Sequence, residues 1–265
     1  MSSAPLFKQA TSRISGYVIA TQPGSLPMGG TVQNTPIHAL DPLPWESIES
    51  VSAGVPATRT DIDIGEQLAF VIDNVISKEA CDLMIEIGEH FGYRSDAPGI
   101  RTPPGMRMNL AMHWTADAAL MGKINDAIAP LLPQQLHGKA LWPRLSQRID
   151  MYKYRKGDVF NRHIDGTWPG YGVNAKRDGI DEWANSGSQL SMLLYLNGPE
   201  DGVQGGATRV FGRGGQVVDV TPKAGSALFF QHGFGIGSVM HAGGEVTGDT
   251  PKYVARINVL YDLDE

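Results

Sequence analysis

A His-x-Asp pair, His163 and Asp165, ends the polar stretch that covers residues 152–165. If this stretch forms a β-strand, residues two apart project from the same face, so an imidazole nitrogen and a carboxylate oxygen can point at one spot. Such a pair supplies two of the three ligands of a metal centre. By itself the pair also arises by chance, as the solvated polar end of a strand. It becomes informative only if the rest of the chain supplies a third ligand.

A non-haem iron(II) site with two histidines and one carboxylate needs a second histidine on a neighbouring strand. Two of the seven histidines, His232 and His241, lie in the appropriate part of the chain. His232 closes the apolar run 227–231, where a histidine is usually a hydrogen-bonded structural residue. His241 opens a turn and strand, and two basic residues follow it closely on the last strand. We therefore predict His241 as the third ligand, with His232 as the alternative.

Those basic residues, Lys252 and Arg256, alternate with apolar residues and share one strand face with Val254 and Asn258. A cation inside a barrel is costly unless an anion joins it, so this face predicts a carboxylate-binding site. A surface strand with two ordinary basic residues is the alternative. Because arginine offers a planar two-pronged fork and lysine only a point charge, Arg256 is the first choice for the carboxylate and Lys252 the second.

The composition is that of a globular protein, with 42% hydrophobic and 19% charged residues among 265. A net charge of −6 without any basic run argues against nucleic acid or an acidic membrane surface as partner. No apolar run reaches the roughly 18 residues of a membrane helix, and no secretion-signal layout is present. The single Cys81 is expected in the core and suits a reducing compartment, so we expect a cytoplasmic protein. The oligomeric state stays open.

Residues 1–65 are rich in Pro, Gly, Ser and Thr and show no sustained period. They predict an extended or partly disordered arm, with a short strand at 16–20 and Trp45 packed on the body. Residues 66–265 are expected to form one domain.

Within that domain, helices are expected from Ser77 to about Gly92 and from Thr115 to Pro133, because capping residues precede apolar stripes of helical spacing. The second half consists of short β-rich runs separated by glycines. Predicted strands cover 68–72, 146–154, 159–164, 189–196, 208–211, 217–220, 227–231 and 253–261. This order predicts an α+β fold, mainly β: a jelly roll with supporting N-terminal helices on one sheet face.

The ordered set of motifs resembles the 2-oxoglutarate- and iron(II)-dependent dioxygenases, and among them the prolyl 4-hydroxylase catalytic domains. The likeness covers about residues 70–262. It is carried by Tyr152-Lys153-Tyr154, the His163/Asp165 pair, residues 194–197, Gly205-Gly206-Ala207-Thr208, residues 222–230, His241 and residues 252–256.

The resemblance implies a double-stranded β-helix in which His163, Asp165 and His241 bind iron. It also implies that a basic residue on the last barrel strand binds the distal carboxylate of 2-oxoglutarate. In prolyl 4-hydroxylase-like members this residue lies closer to the Lys252 position, whereas other branches use an arginine placed like Arg256. Both residues could serve, one at each end of the cosubstrate.

Weaker expectations concern the pocket. Tyr154 stands where relatives contact 2-oxoglutarate, with a core aromatic as the alternative. Arg107 and Asn109 stand where prolyl 4-hydroxylase-like relatives line the pocket mouth. The chain departs from the family at Ala207, where relatives often carry a glutamate, so any contact made by that carboxylate is lost.

Residues 166–188 follow Asp165 directly and contain Trp168. Loops longer than about 12–15 residues are usually functional or disordered. We interpret this segment as a lid over the metal, with Trp168 as a substrate contact. The alternative is a surface excursion with its aromatic residues tucked underneath.

The resemblance implies an enzyme that uses Fe(II), 2-oxoglutarate and O₂ to hydroxylate an unactivated C–H bond. The substrate would be a small molecule or a protein side chain such as proline, with release of succinate and CO₂. The apolar run 227–230 with Met192 or Leu194 is expected to form the dry wall of the site. Two alternatives stay open: a catalytically inert metal- or ligand-binding barrel acting as sensor or scaffold, and a zinc or manganese enzyme on a cupin-like barrel.

Overall fold

The computed structural model describes residues 17–21, 27–28, 31–32, 37–40, 51–95, 102–176 and 179–263. Trp45, expected to pack on the body, lies outside these ranges. In chain order the strands are Tyr17–Thr21 (β1), Pro27–Met28 (β2), Thr31–Val32 (β3), Ile37–Leu40 (β4), Thr58–Asp61 (β5), Ala69–Asp73 (β6), Leu110–Thr115 (β7), Gln135–Leu136 (β8), Lys139–Ala140 (β9), Arg148–Tyr154 (β10), Phe160–His163 (β11), Pro169–Val173 (β12), Ile180–Tyr195 (β13), Thr208–Phe211 (β14), Val217–Val220 (β15), Ala227–Gln231 (β16), Met240–Gly243 (β17) and Lys252–Asp262 (β18). The α-helices are Lys78–Phe91 (α1) and Ala118–Ile128 (α2), and single 3₁₀ turns cover Ala129–Leu131 and Pro199–Asp201.

Two antiparallel sheets face each other in the second half of the chain. The large sheet contains the order β7-β10-β18-β13-β16-β6, and the small sheet has the order β11-β17-β14-β15. From β10 onward the chain passes repeatedly between the two sheets, as in a jelly roll. The predicted fold class, mainly β with a double-stranded β-helix, is confirmed.

The large sheet is buried on both faces because it separates two apolar layers. One layer joins both helices to the outward side of the sheet and includes Ala255 and Ile257. The other lies between the two sheets and includes Val254. The alternation predicted for the last strand is therefore confirmed, and the helices support one sheet face as expected.

The two helices begin at different kinds of cap. The Ser77 hydroxyl accepts a hydrogen bond from the Ala80 amide at 3.1 Å, which confirms the predicted start of α1. The second predicted start was wrong. Thr115 ends β7, where it pairs with Arg148 of β10, and Asp117 caps α2 by accepting from the amides of Ala119 and Leu120. An aspartate is a better cap than a threonine that the sheet already holds.

Residues 166–188 are a hairpin rather than a loop, so that prediction was wrong. Strand β12 pairs with the first half of β13, which thereby reaches 16 residues. Gly170 and Gly172 allow close packing within the hairpin, because a Cβ on either would lie 2.6 Å from Trp183. The hairpin belongs to the large sheet through β13.

The described parts of the first 65 residues include five short strands, β1 to β5. Strand β4 pairs with β1 and runs parallel to β7, and β5 pairs with β6 at the far side of the same sheet. The domain boundary at residue 65 stays a prediction. No helix among the described residues is long and apolar enough to cross a membrane.

Phe229 of β16 stacks on Phe70 of β6, with ring centroids 5.0 Å apart and an interplanar angle of 6°. Because both rings are fully buried, Phe229→Ala should lower the free energy of unfolding by about 3–5 kcal/mol. The matched control is Phe234→Ala, whose side chain is 97% exposed and which should change it by no more than about 0.5 kcal/mol. Urea denaturation measures both, and equal effects would contradict this description of the core.

Candidate metal site and its buried cations

Three side chains from the two sheets' interior converge on one point. His163 at the end of β11 lies directly opposite His241 on β17 in the antiparallel register. Asp165 follows two residues later, with its Oδ1 3.6 Å from His163 Nε2 and its Oδ2 3.9 Å from His241 Nε2. One donor atom from each residue lies within 4.8 Å of the others. The structure therefore brings together the three residues that the sequence suggested as metal ligands.

Backbone carbonyls orient both imidazole rings. The Nδ1 of His163 lies 2.7 Å from the Asn161 carbonyl oxygen, and the Nδ1 of His241 lies 3.4 Å from that of Val239. A carbonyl oxygen can only accept, so each Nδ1 carries the proton and each Nε2 keeps its lone pair for a metal. The two Nε2 atoms are those that face Asp165.

The protonation states also suit a divalent cation. Burial lowers the pKa of His241 to about 3, so the ring is neutral near pH 7. Burial alone would raise the pKa of Asp165, but Arg256 and the neighbouring imidazoles outweigh it and hold that pKa well below its usual value. Metal binding requires a neutral imidazole and an ionised carboxylate, and His241 and Asp165 supply them.

A directed chain of hydrogen bonds supports Asp165 from behind. The Ser191 hydroxyl donates to Asp165 Oδ2 at 2.5 Å, and therefore accepts from His232 Nδ1 at 2.8 Å. The other ring nitrogen of His232 then accepts from the Ser188 hydroxyl at 2.8 Å, which in turn accepts from the Trp168 amide at 2.9 Å. This series of hydrogen bonds links the β12–β13 hairpin to Asp165.

Ser191 therefore stands between His232 and the cluster, and His232 is not a member of the cluster. Burial lowers its pKa to about 4, so the neutral ring can donate at one nitrogen and accept at the other. This is the hydrogen-bonding role expected from the sequence, which had ligation as the alternative, whereas Ser191 was not predicted. The available signal was the position of a histidine at the end of an apolar strand, which favours a hydrogen-bonding role.

Arg256, the first choice for a carboxylate of 2-oxoglutarate, already has two carboxylate partners. Its Nε donates to Asp165 Oδ2 at 2.9 Å, and its Nη1 donates to Asp150 Oδ2 at 3.2 Å. All three residues are buried or nearly so. Arg256 is therefore already paired with two carboxylates of the protein, Asp165 and Asp150.

Lys252 is different, because no carboxylate among the described residues pairs with it. Its side chain is only 1% exposed, donates to the Gly206 carbonyl at 2.6 Å and lies 4.3 Å from the centre of the Tyr154 ring. Burial lowers its pKa to about 7. Gly206 has φ +70°, and a Cβ there would approach the lysine stem to 3.2 Å, so the glycine keeps the space that Lys252 needs.

The three clustered side chains, both cations and Tyr154 line one narrow cavity between the sheets. Its apolar wall includes Leu193 and Val254. Met192 and Leu194, which were expected in this wall, belong to the layer on the helix side. The expectation was wrong, because the cavity wall is formed by Leu193, which lies between them. Neighbouring residues of a strand project from opposite faces of the sheet, so an error of one residue puts the side chain on the wrong face.

The substrate candidates are spread more widely. The Arg107 guanidinium lies 5.0 Å from the Tyr152 ring and 5.8 Å from the Phe160 ring, at the edge of the cavity. Asn109 is fully buried beside β7 and is not part of the cavity wall. Trp168 also lies outside that wall, over the guanidinium of Arg148. Their substrate roles stay predictions.

Removal of the Ser191 hydroxyl should loosen Asp165 without removing a ligand. Because outer contacts of a ligand typically contribute about 10–100-fold in metal affinity, we expect Ser191→Ala to weaken Mn(II) binding by that factor. Ser226→Ala is the matched control, since this buried serine donates to the Lys223 carbonyl, away from the cluster. Calorimetric titration measures both variants, and equal affinities would contradict the supporting role of Ser191.

Comparison with known proteins agrees with this geometry. Residues 149–260, which contain the three clustered side chains and both cations, match the model of the 2OG-Fe(II) oxygenase superfamily. No curated protein matches the sequence.

Among solved structures, the chain is similar to a prolyl hydroxylase from Trichoplax adhaerens in complex with a hypoxia inducible factor peptide fragment. The identity is 14% and the TM-score 0.51, with 73% of this chain and 83% of that chain covered. It is also similar to the viral collagen prolyl hydroxylase of Paramecium Bursaria Chlorella virus-1, at 17% identity and TM-score 0.49, covering 74% of this chain and 96% of that chain. A Pseudomonas putida prolyl-4-hydroxylase shows 15% identity and TM-score 0.44, covering 77% and 96%.

At such identities the Trichoplax structure supports the fold alone, whereas the family model covers the segment that carries the site. The resemblance drawn from the motifs is confirmed. Residues 149–260 match the 2OG-Fe(II) oxygenase superfamily, and the site in this segment is that of a dioxygenase that uses Fe(II), 2-oxoglutarate and O₂.

Proposed function

We propose that this protein hydroxylates an unactivated C–H bond of a small molecule or of a proline-like protein side chain, and converts 2-oxoglutarate to succinate and CO₂. The observation that carries the proposal is Lys252, a buried cation without a carboxylate partner among the described residues, in the same cavity as the His-Asp-His cluster. Such a cation is unfavourable until an anion joins it.

The cluster fits iron(II). Two imidazole nitrogens and one carboxylate oxygen on one side of a metal are the donor set of non-haem iron(II) oxygenases, and they leave positions for other ligands. In this chain His163, Asp165 and His241 would hold the ion. When bound, Fe(II) with 2-oxoglutarate and O₂ supplies the oxidising power for C–H hydroxylation, while the protein positions and protects.

Lys252 and Arg256 have separate tasks in this proposal. Lys252 binds the distal carboxylate of 2-oxoglutarate, and the Tyr154 ring beside it limits where the ammonium group can move. Arg256 keeps Asp165 ionised and oriented. The geometry of the two side chains alone had favoured Arg256 over Lys252 as the ligand of the carboxylate. The proposal reverses this order, because Asp165 and Asp150 already accept hydrogen bonds from Arg256.

The surrounding side chains keep the site dry. Phe160 stacks on the His163 ring at 3.6 Å, and the Phe230 ring lies 4.2 Å from the His241 ring. Phe230 is the part of the run 227–230 that reaches the ligands. With Leu193 on the wall, these groups exclude water from the side of the metal that faces the barrel.

The cytoplasmic location expected from the sequence stays a prediction.

Turnover of 2-oxoglutarate tests the proposed function directly. The purified protein with Fe(II) and O₂ should form succinate from 2-oxoglutarate, measured by mass spectrometry, and a substrate should increase the rate. His241→Ala should reduce succinate formation by at least about 100-fold, because the ion loses one of three protein ligands. If no succinate forms with iron and the purified protein contains tightly bound zinc or manganese, the zinc or manganese enzyme is favoured. If no turnover occurs with any metal, the catalytically inert barrel is favoured.

The affinity for 2-oxoglutarate should depend on pH through Lys252. Burial lowers the pKa of free Lys252 to about 7, so the lysine loses its proton as the pH rises above 7. The cosubstrate carboxylate binds the protonated lysine, so the Kd for 2-oxoglutarate should rise about five- to tenfold between pH 7 and pH 8. Tyr154, the titratable group in contact, stays neutral here because burial raises its pKa.

Lys252→Arg is the control, since an arginine stays charged across this range. Its affinity should be independent of pH between 7 and 8, whatever its absolute value, whereas Lys252→Met should bind 2-oxoglutarate poorly at both. Calorimetric titration of the Mn(II) protein under nitrogen measures the three proteins. A wild-type affinity that does not change with pH would argue against Lys252 as the carboxylate ligand.

A further inference from the structure

A second group of buried polar side chains lies beside the metal cluster, and Arg256 is its one member with a role in the proposed chemistry. Arg148 Nη2 lies 3.0 Å from Asp150 Oδ1 and 3.0 Å from His113 Nδ1. Asp150 Oδ2 accepts from Arg256 at 3.2 Å. All four residues are almost completely buried. The sequence analysis did not single out Arg148, Asp150 or His113.

The arginines of this group have more N–H donors than partners. Within the described part of the chain, Arg148 Nε and Nη1 and Arg256 Nη2 are buried without a hydrogen-bond acceptor. Arg107, at the edge of the cavity, has the same deficit at Nε and Nη2. Buried guanidinium N–H groups are nearly always paired, so an acceptor is missing at this place.

The charges are also unbalanced. Burial would raise the pKa of Asp150, but Arg148, His113, Arg256 and Arg107 together lower it, which shows that all three guanidinium groups act on one carboxylate. His113 adds no charge near pH 7, because burial lowers its pKa to about 3. Asp165 is the other nearby carboxylate, and the proposed function assigns it to the metal. Three guanidinium charges then face one remaining carboxylate, Asp150, so two positive charges lack an anion.

The register places this group four residues along β18 from Lys252, because Asp150 pairs with Arg256. On β18 the inward-facing residues run from Lys252 through Val254 to Arg256, and Asp150 is the cross-strand partner of Arg256. His113 is the next partner along that row, on β7. A cosubstrate anchored at Lys252 leaves the arginine-rich end of the barrel for the substrate.

We propose that the substrate carries a carboxylate group, which binds to the unpaired N–H groups of Arg148 and Arg107 at this end of the barrel. The proposal rests on the proposed function, since it names the substrate class of the same site. A carboxylate suits the planar fork of arginine, which can donate two parallel hydrogen bonds to it. The Trp168 ring, 4.9 Å from the Arg148 guanidinium carbon, covers that group from the hairpin side.

This arrangement also gives the hairpin a defined part in recognition. Trp168 covers Arg148 with its ring, and its backbone amide begins the hydrogen-bond chain that ends at Asp165. A ligand at Arg148 would therefore contact an element that also supports the metal-binding carboxylate. A neutral substrate would leave the Nε and Nη1 groups of Arg148 and the Nε and Nη2 groups of Arg107 without acceptors, at the cost that buried unsatisfied donors carry.

Trifluoroacetate, observed by ¹⁹F NMR, is the probe for the carboxylate site. The protein is first saturated with Zn(II) and 2-oxoglutarate, so that the metal and Lys252 are satisfied, and chloride holds the ionic strength constant. We expect trifluoroacetate to bind the wild type, to be displaced by acetate and not to be displaced by acetamide. Arg148→Gln should weaken its binding at least tenfold.

Arg213→Gln is the matched control, because it removes one positive charge from an exposed arginine. This control should bind trifluoroacetate like the wild type. The proposal is overturned if wild type fails to bind the probe, if acetamide competes as well as acetate, or if Arg148→Gln binds unchanged. The competition between acetate and acetamide is measured on wild type, so a variant that fails to fold leaves the test intact.

The result can be separated from the proposed function with Lys252→Met in the same assay. If the carboxylate site is at Arg148, Lys252→Met without metal should bind the probe with the affinity that the wild type shows when Zn(II) and 2-oxoglutarate are bound. Loss of the probe in Lys252→Met, together with retention in Arg148→Gln, would place the anion at the lysine and overturn the proposal. Absence of succinate formation, with probe binding still dependent on Arg148, would instead refute only the oxygenase function.

Discussion

The site depends on one ionised carboxylate that is kept inside a barrel. Asp165 is surrounded by protein, and burial alone would raise its pKa. Arg256 and the neighbouring imidazoles outweigh burial and keep that pKa well below its usual value, while hydrogen bonds from Arg256 and Ser191 fix the direction of its oxygens. Because the carboxylate is held in this way, two imidazoles from the facing strand pair can share a cation with it. The surrounding layers, from the Phe160 stack to the β12–β13 hairpin, preserve that arrangement.

Much of this arrangement could be predicted from the sequence where a strand has a strict alternation. The period of two on β18 correctly assigned Lys252 and Arg256 to the inner face, and it correctly assigned the neighbours of these residues to the helix side. The same rule failed at Met192 and Leu194, because that run is apolar on both faces and only Leu193 points inward. A strand buried on both sides carries no alternation from which its register can be read.

Other features could not be predicted because they depend on pairings distant in sequence. The partners of Arg256 come from positions more than 90 residues away, so the sequence showed a free arginine fork where the structure has an occupied one. The hairpin at 166–188 was hidden by glycines that are needed for close packing against Trp183. Only the assembled fold reveals that the buried arginines have N–H groups without acceptors.

The central claim is that two imidazoles and one carboxylate hold a ferrous ion, and that the buried Lys252 beside them binds a carboxylate of 2-oxoglutarate. The most direct measurement is the visible absorption spectrum of the protein under nitrogen, first with Fe(II) and then with added 2-oxoglutarate. The account predicts that a weak charge-transfer band appears only after 2-oxoglutarate is added, and that the band is absent from His241→Ala. A wild-type spectrum without the band at saturating iron and 2-oxoglutarate would contradict the account.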